Sequence, residues 1–416
     1  MKQESSQQLG RGLVGREGEC ARLDGLLSTA ELIRSANSLI ELLAAESAET
    51  EAQGRMTDRS AQALRDAGFL SLFAPAELGG READIITASE VFRLLARGCG
   101  SSAWTAMLPS GGSYLAALLG PRVRKEIWGN DPRAVVCGGF GMAQDAVRVQ
   151  NGLQVSGRWQ PLTGSDHAQW ALLGVPIIDA DGNVVDRGMA LVPMTAATVE
   201  RTWHMAGMQG TGSNTVVVEA TVVPDHRILS LTRLLAGEYS TAHGPGSIYS
   251  AAPIPFTSVT MLAPLAGMAE TALETTLARL KAGKPLNGTI YARAEDSPTV
   301  QLSVSDAASH IESAKLHTAR AVGDVALSIS EGAALPPAQR ARIRMDLGTA
   351  AKNIRSAITL LLDAGGSSSF ALDAPVQQIW RNIEVASRHQ LISHGLSREV
   401  YARSLFHTPT QATALL

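Results

Sequence analysis

Along this chain the apolar residues change their spacing twice, and that double change limits the folds open to it. Up to about residue 131 they recur at three and four. Ile33, Ala36, Ile40 and Leu43 form one stripe down a helix face. A second helix is predicted over residues 57–67 and stopped by Gly68, while Pro75 and the Gly79-Gly80 pair make the next segment a loop. Helices resume from Thr87, and Pro109 with Gly111-Gly112 is expected to break the run.

From about residue 132 to 235 the period becomes two. Val147 and Val149 alternate with Arg148, Asn151-Gly152 supplies a turn, and Leu153 and Val155 alternate with Gln154: a hairpin pattern. Residues 171–175, 189–192 and 215–218 read as further strands, with an Asp181-Gly182 turn between two of them. From about residue 250 the helical spacing returns. Ile311, Ala314, Thr318, Val322, Val325 and Ile329 keep one register, and a last helix is predicted after Pro375. The chain therefore reads as α+β and mainly α. It divides into a flexible tail (1–25), an N-terminal helical domain (26–131), a central β domain (132–235) and a C-terminal helical bundle (236–416).

Composition narrows the function. Hydrophobic residues make up 45% of the 416 and aromatics only 4%, so Ala and Leu must fill much of the core, which favours close-packed helices. The formal net charge of −3 offers no basic excess to neutralise phosphates, so nucleic acid is not an expected partner. Cys20, Cys99 and Cys137 are scattered, with no Cys-x-x-Cys; a reducing cytoplasm is the expected setting. The first 20 residues lack an apolar core and read as a tail and not a signal peptide. The most apolar stretch, residues 248–273, is broken by Pro253, Pro255 and Pro264 and reads as core, so no membrane span is expected.

Common catalytic signatures are absent: no His-Glu-x-x-His, no Walker loop, no Gly-x-Ser-x-Gly. Gly138-Gly139-Phe140-Gly141 lacks the spacing of a dinucleotide fingerprint. His310 and His317 stand two helical turns apart, too far for one ion, so no metal is expected. Three segments remain. Gly157-Arg158-Trp159-Gln160-Pro161-Leu162-Thr163-Gly164-Ser165-Asp166-His167 runs from a strand into a loop that can set backbone N–H groups and a hydroxyl against a planar heteroaromatic ring. Gly207-Met208-Gln209-Gly210-Thr211-Gly212-Ser213-Asn214 leaves backbone amides accessible to an anion or a ring edge. On the predicted last helix Ile379, Ile383, Ala386 and His389 share an apolar face, while Arg381, Glu384 and Arg388 lie on a polar one. Each has a plainer reading: a polar turn, a tight turn between strands, a core histidine.

Taken together the segments resemble the acyl-CoA dehydrogenase superfamily, and within it the two-component monooxygenases that use reduced flavin. The strand-to-loop signature Gly-Arg-Trp, three residues, Ser-Gly appears as Gly157-Arg158-Trp159 with Thr163-Gly164. The signature Gly-Met-Arg-Gly-Thr-Gly-Ser spans Gly207 to Ser213, with Gln209 where Arg is usual. Val223-Pro224-Asp225-His226-Arg227 resembles the close of the β domain, and Gly100-Ser101-Ser102-Ala103-Trp104 the helix beside the substrate cavity. Gly365-Gly366-Ser367-Ser368, Trp380-Arg381-Asn382 and Ala386-Ser387-Arg388-His389 resemble the closing motifs, with Asn382 in place of Asp.

The resemblance implies N-terminal helices, a central β domain and a C-terminal four-helix bundle, assembled as a homotetramer. It implies diffusible reduced FMN or FAD from a separate reductase, O2 as co-substrate, and hydroxylation of a small aromatic or polyketide-like molecule through a flavin C4a-hydroperoxide. Alternatives are N-hydroxylation of an amine or amino sugar, and acyl-CoA dehydrogenation. The latter needs a carboxylate base, and the Tyr-Glu-Gly type motif that carries it in many members is missing here. By the same resemblance His389 and Thr163 are catalytic, Thr163 near flavin N5. Trp159, Thr163, Gly164, Ser165, Gly210, Thr211, Gly212, Ser213, Gly365, Gly366 and Ser367 bind flavin, and Trp104 and His389 meet the substrate.

Overall fold

The computed structural model describes residues 28–143, 145–239, 246–408 and 412–416; the predicted tail and Cys20 lie outside them. Helices α1 (Thr29–Ala45), α2 (Ser47–Gln53), α3 (Asp58–Ala67), α4 (Ile85–Gly98), α5 (Gly100–Ala117) and α6 (Pro121–Trp128) come first. Their ends are chemically marked. Ser28 and Glu31 close a capping box on α1, the Thr57 hydroxyl accepts the Ser60 N–H to start α3, and Gly68 at φ +78° ends it.

Pro109 does not break its helix. α5 runs through it, with nearly every side chain buried, so packing on both sides outweighs the lost backbone hydrogen bond. The Ser110 and Ser113 hydroxyls donate to the carbonyls of Ala106 and Pro109, one turn back. Gly112 is needed for a different reason: a Cβ there would run into the Val136 carbonyl oxygen, where the first strand crosses the helix.

The strands are β1 (Val136–Met142), β2 (Asp145–Val149), β3 (Gly152–Leu162), β4 (Trp170–Ile178), β5 (Val184–Pro193), β6 (Ala197–Glu200), β7 (Asn214–Pro224) and β8 (Ile228–Ser230). They form two four-stranded sheets, ordered β1-β4-β5-β8 and β2-β3-β7-β6. Leu153, Val155, Trp159, Leu173, Val175, Val192, Val216 and Val218 fill the space between them. The hairpin turn is displaced by one residue from the expected Asn151-Gly152. Val149 pairs with Gly152, so Gln150-Asn151 make the turn, with Asn151 at φ +62°. Gly152 is instead required by β7, whose Val223 carbonyl occupies the space of a Cβ.

After a short helix α7 (Leu231–Leu235) come α8 (Pro253–Val259), α9 (Leu262–Lys281), α10 (Pro298–Glu331), α11 (Pro337–Gly365), α12 (Pro375–Ala386) and α13 (His394–Leu405). The long helices α9, α10 and α11 pack on one another, with α12 and α13 against them and α4 against α9. The helix after Pro375 is therefore not the last, and it stops at Ala386. His389 lies beyond its end, in the turn that leads to α13. Among the described residues no helix is long and apolar enough to cross a membrane.

Candidate functional site

The sheet register builds the first half of the site. β3 and β7 run antiparallel, and their pairing ends at Leu162 opposite Asn214. The residue after Leu162 and the residue before Asn214 therefore leave the sheet side by side: Thr163 and Ser213. Their hydroxyl oxygens are 2.7 Å apart, and Ser213 Oγ is 2.7 Å from Thr211 Oγ1. Thr211 Oγ1 donates to the Met208 carbonyl at 2.8 Å.

A hydroxyl has one hydrogen, so this order fixes the rest. With the Thr211 hydrogen on Met208, Ser213 must donate to Thr211, and Thr163 must donate to Ser213. The chain runs one way, and it leaves Thr163 Oγ1 with free lone pairs and no free hydrogen. All three residues are buried.

Glycines let the two loops close. Gly164 N–H reaches the Thr211 carbonyl at 3.4 Å, and Ser165 Oγ reaches the Gly212 carbonyl at 3.4 Å. A Cβ on Gly164 (φ +77°) would press on Thr105 and Pro109 of α5, and one on Gly210 would collide with Thr50 and crowd Ser101. A Cβ on Gly207 would run into the Arg381 carbonyl. There α12 grips the loop. Asn382 Oδ1 accepts the Met208 N–H at 2.6 Å, and the Arg381 guanidinium donates to the Ala206 carbonyl at 2.7 Å and pairs with Glu51. Met208 is held in the left-handed region at φ +55°. Beside these loops a cleft of about 390 Å³ opens, lined by Asp166, Gln209 and Asn214 together with Glu51, Arg201 and Trp203.

α5 is the wall shared with the second half. Ser101 and Thr105 face the glycine loops, and Trp104 on the same helix meets His389 edge-on, ring centroids 6.0 Å apart. His389 Nδ1 accepts the Leu391 N–H at 3.3 Å, so in the neutral ring the hydrogen sits on Nε2. Burial, and then the Arg344 guanidinium, push the imidazole down to about 4, so it stays uncharged at neutral pH. Glu384 pairs with Arg388 on the outward side of α12.

Not every residue expected at the site is brought here. Trp159 lies wholly buried between the sheets, its indole N–H donating to the Gly174 carbonyl at 2.9 Å. It is a core side chain whose one polar atom is already satisfied. Gly365, Gly366 and Ser367 lie at the end of α11, where Arg279 donates to the Gly365 carbonyl and holds Ser368 and Ser369. Among the described residues no hydrogen bond joins them to the hydroxyl chain. Asn382 and Arg344, by contrast, are brought to the site by the fold alone. Asn382 had a signal in its Trp-Arg-Asn motif; Arg344 had none, since it lies inside a helix, 46 residues before the Gln390 carbonyl it binds.

The family model for the acyl-CoA dehydrogenase N-terminal domain matches residues 31–128, and that for the C-terminal domain matches residues 259–394. Oxygenase subunit HsaA of a flavin-dependent monooxygenase from Mycobacterium tuberculosis is 32% identical over 344 residues, covering 82% of this chain and 86% of that protein. The chain belongs to the flavin-dependent monooxygenases of the acyl-CoA dehydrogenase family. As a member it is an oxidoreductase. A resorcinol hydroxylase oxygenase component from a Rhizobium species, described as FADH2-dependent, is 26% identical over 380 residues (86% of this chain, 90% of that one). The structure of XiaF from a Streptomyces species, in complex with FADH2 and glycerol, superposes with a TM-score of 0.88 at 31% identity. It covers 96% of this chain and 99% of that one.

Proposed function

We propose that this monooxygenase is the oxygenase component of a two-component aromatic hydroxylase. It takes reduced flavin, FAD in preference to FMN, from a separate reductase and puts one atom of O2 into a phenol-like ring. The relatives support each part: one is named an oxygenase subunit, another an FADH2-dependent resorcinol hydroxylase component, and XiaF holds FADH2. The observation that carries the reading is the one-way hydroxyl chain across α5 from the Trp104–His389 pair.

The residues fit a reduced flavin. Its ring edge presents N–H groups, and Thr163 Oγ1 offers a lone pair with its own hydrogen engaged elsewhere. Gly164, Gly210 and Gly212 keep side chains out of the way where a flat ring must lie close to backbone, and the Ser102 and Ser387 hydroxyls are buried without partners. Thr163, Gly164, Ser165, Gly210, Thr211, Gly212 and Ser213 would hold the ring, and Gly365, Gly366 and Ser367 would serve its phosphate end in a neighbouring subunit. When bound, reduced flavin supplies the electrons that activate O2. The chain's own part is to hold a hydrogen at Thr163 Oγ1, to donate one from His389 Nε2, and to keep water from the reacting atoms with the apolar wall of α5. His389 would act as a donor to an oxygen; burial makes it hard to protonate and so a poor base. Trp104 would stack the substrate's ring edge against His389.

Acyl-CoA dehydrogenation is the weaker reading, because Glu384, the carboxylate next in sequence to the site, is spent on Arg388. Assembly as a homotetramer is part of the proposal. On α10, Leu302, Leu316 and Leu327 are exposed by 64%, 73% and 54%. Their spacing brings them within about 40° of one another on the helix face. Leucines exposed on one face, with the small Ser309 and Ser313 between two of them, are suited to a second copy. A cytoplasmic setting suits Cys99 and Cys137, both free and buried. The test is anaerobic: titrate the pure chain with FADH2 and FMNH2, then supply NADH without a reductase. Tight FADH2 binding and no NADH oxidation are expected; rapid NADH consumption by the chain alone would overturn the two-component reading.

A further inference from the structure

Arg344 sits two turns into α11, 4% exposed, and among the described residues no carboxylate pairs with it. A cation without an anion is costly to bury, so its few contacts are informative. One guanidinium nitrogen donates to the Gln390 carbonyl at 2.6 Å, and another reaches the Leu415 carbonyl at 3.4 Å. Its Nε is buried without a partner.

The Gln390 carbonyl and the Leu391 N–H belong to a single peptide unit. Arg344 holds the carbonyl side of that unit, and His389 Nδ1 accepts from its N–H side. A cation on an amide oxygen draws electron density from the amide and strengthens its N–H as a donor. We propose that Arg344 is a positioning residue for His389, acting through the 390–391 peptide to fix the imidazole as its Nε2–H tautomer and to aim that hydrogen into the site. The Leu415 carbonyl, in the segment 412–416, takes the longer contact on the other side of the guanidinium. The low affinity of the ring for a proton agrees with this arrangement, since burial and the neighbouring guanidinium both favour the neutral form. The turn between α12 and α13 gains a rigidity that its lack of regular structure would not supply.

This rests on the proposed role of His389 as a hydrogen donor, so the first readout is independent of turnover. Solid-state 15N spectra of histidine-labelled protein, with His389 assigned by its loss in His389→Asn, should show a neutral ring protonated on Nε2 alone. Arg344→Met should give averaged nitrogen shifts, and Arg344→Lys, which keeps a cationic donor, should restore most of the single-tautomer signal. In turnover, Arg344→Met should lower hydroxylated product per O2 by roughly threefold or more, with reduced-flavin binding and substrate KM little changed. Arg344→Lys should recover more than half of that loss. A wild-type His389 that is charged or Nδ1-protonated would overturn the proposal, even if Arg344→Met failed to fold. So would a folded Arg344→Met variant with unchanged shifts and product ratio. Loss of hydroxylation in every form with the tautomer as described would count against the hydroxylase reading and leave the positioning role intact.

Discussion

Thr163 donates its hydroxyl hydrogen to Ser213, 50 residues further along the chain, across a gap of 2.7 Å. Because that hydrogen is committed, the two substitutions open to Thr163 separate cleanly. Thr163→Ser keeps the donor and the lone pairs and should couple oxygen to product nearly as wild type. Thr163→Val keeps the shape and loses both, so hydrogen peroxide should rise at the expense of product while stability falls by only about 1 kcal/mol. Peroxide and product measured in the same reaction decide between them; equal coupling in both variants would remove Thr163 from the chemistry.

The grip of α12 on the 207–213 loop should be visible in stability. Asn382→Leu strands the Met208 N–H in a buried site and should cost about 1–3 kcal/mol in denaturant unfolding and weaken flavin binding. Asn382→Asp retains an oxygen acceptor there and should fold and bind flavin. Unchanged stability in Asn382→Leu would show that the loop holds its shape without α12.

His389 should leave a mark on the pH dependence of stability. Its folded-state value, about 4, lies below the ordinary 6.5, so the unfolded chain binds a proton that the folded one refuses between those limits. Stability should therefore rise with pH from about 4 to 6.5 and level off above, by at most ~1–3 kcal/mol from this group. His389→Asn should flatten that part of the curve. A variant curve parallel to wild type over the same window would mean that the ring titrates normally.

The exposed leucines of α10 predict an assembly. Light scattering should give four times the chain mass of 43.7 kDa, and Leu316→Glu should lower it by charging one of them. A wild-type protein that is monomeric at micromolar concentration would contradict this.

Much of the fold was legible because it follows local periodicity. Strands β2, β3, β4, β5 and β7, the helix stop at Gly68 and the α10 register all rest on short-range pattern. Thr163 and Ser213 were legible as motif residues, though only the β3–β7 register explains why they meet. Trp159 shows a pattern available but not followed. It shares the inward parity of Leu153 and Val155 on β3, which puts it in the sandwich core. The end of α12 had no glycine or proline to mark it, so the spacing of Ile379, Ile383 and Ala386 carried the helix on to His389 when it had already stopped. Pro109 misled in the opposite sense, because the packing that keeps α5 intact comes from segments distant in sequence. Arg344 was invisible for that same reason: its partners are backbone carbonyls, and carbonyls carry no sequence signal.

The most direct test of the hydroxylase reading is a single turnover without any reductase. The chain is loaded anaerobically with photoreduced FAD, mixed with oxygenated buffer and a panel of phenols, and assayed for hydroxylated product against oxygen consumed; in parallel, acyl-CoA thioesters of several lengths are offered with an artificial electron acceptor. Expected are product from at least one phenol, a shift toward hydrogen peroxide in His389→Asn by roughly 10²-fold in the product-forming step, and no dye reduction with any thioester. Peroxide alone from every phenol, together with dye reduction by a thioester, would contradict the hydroxylase reading.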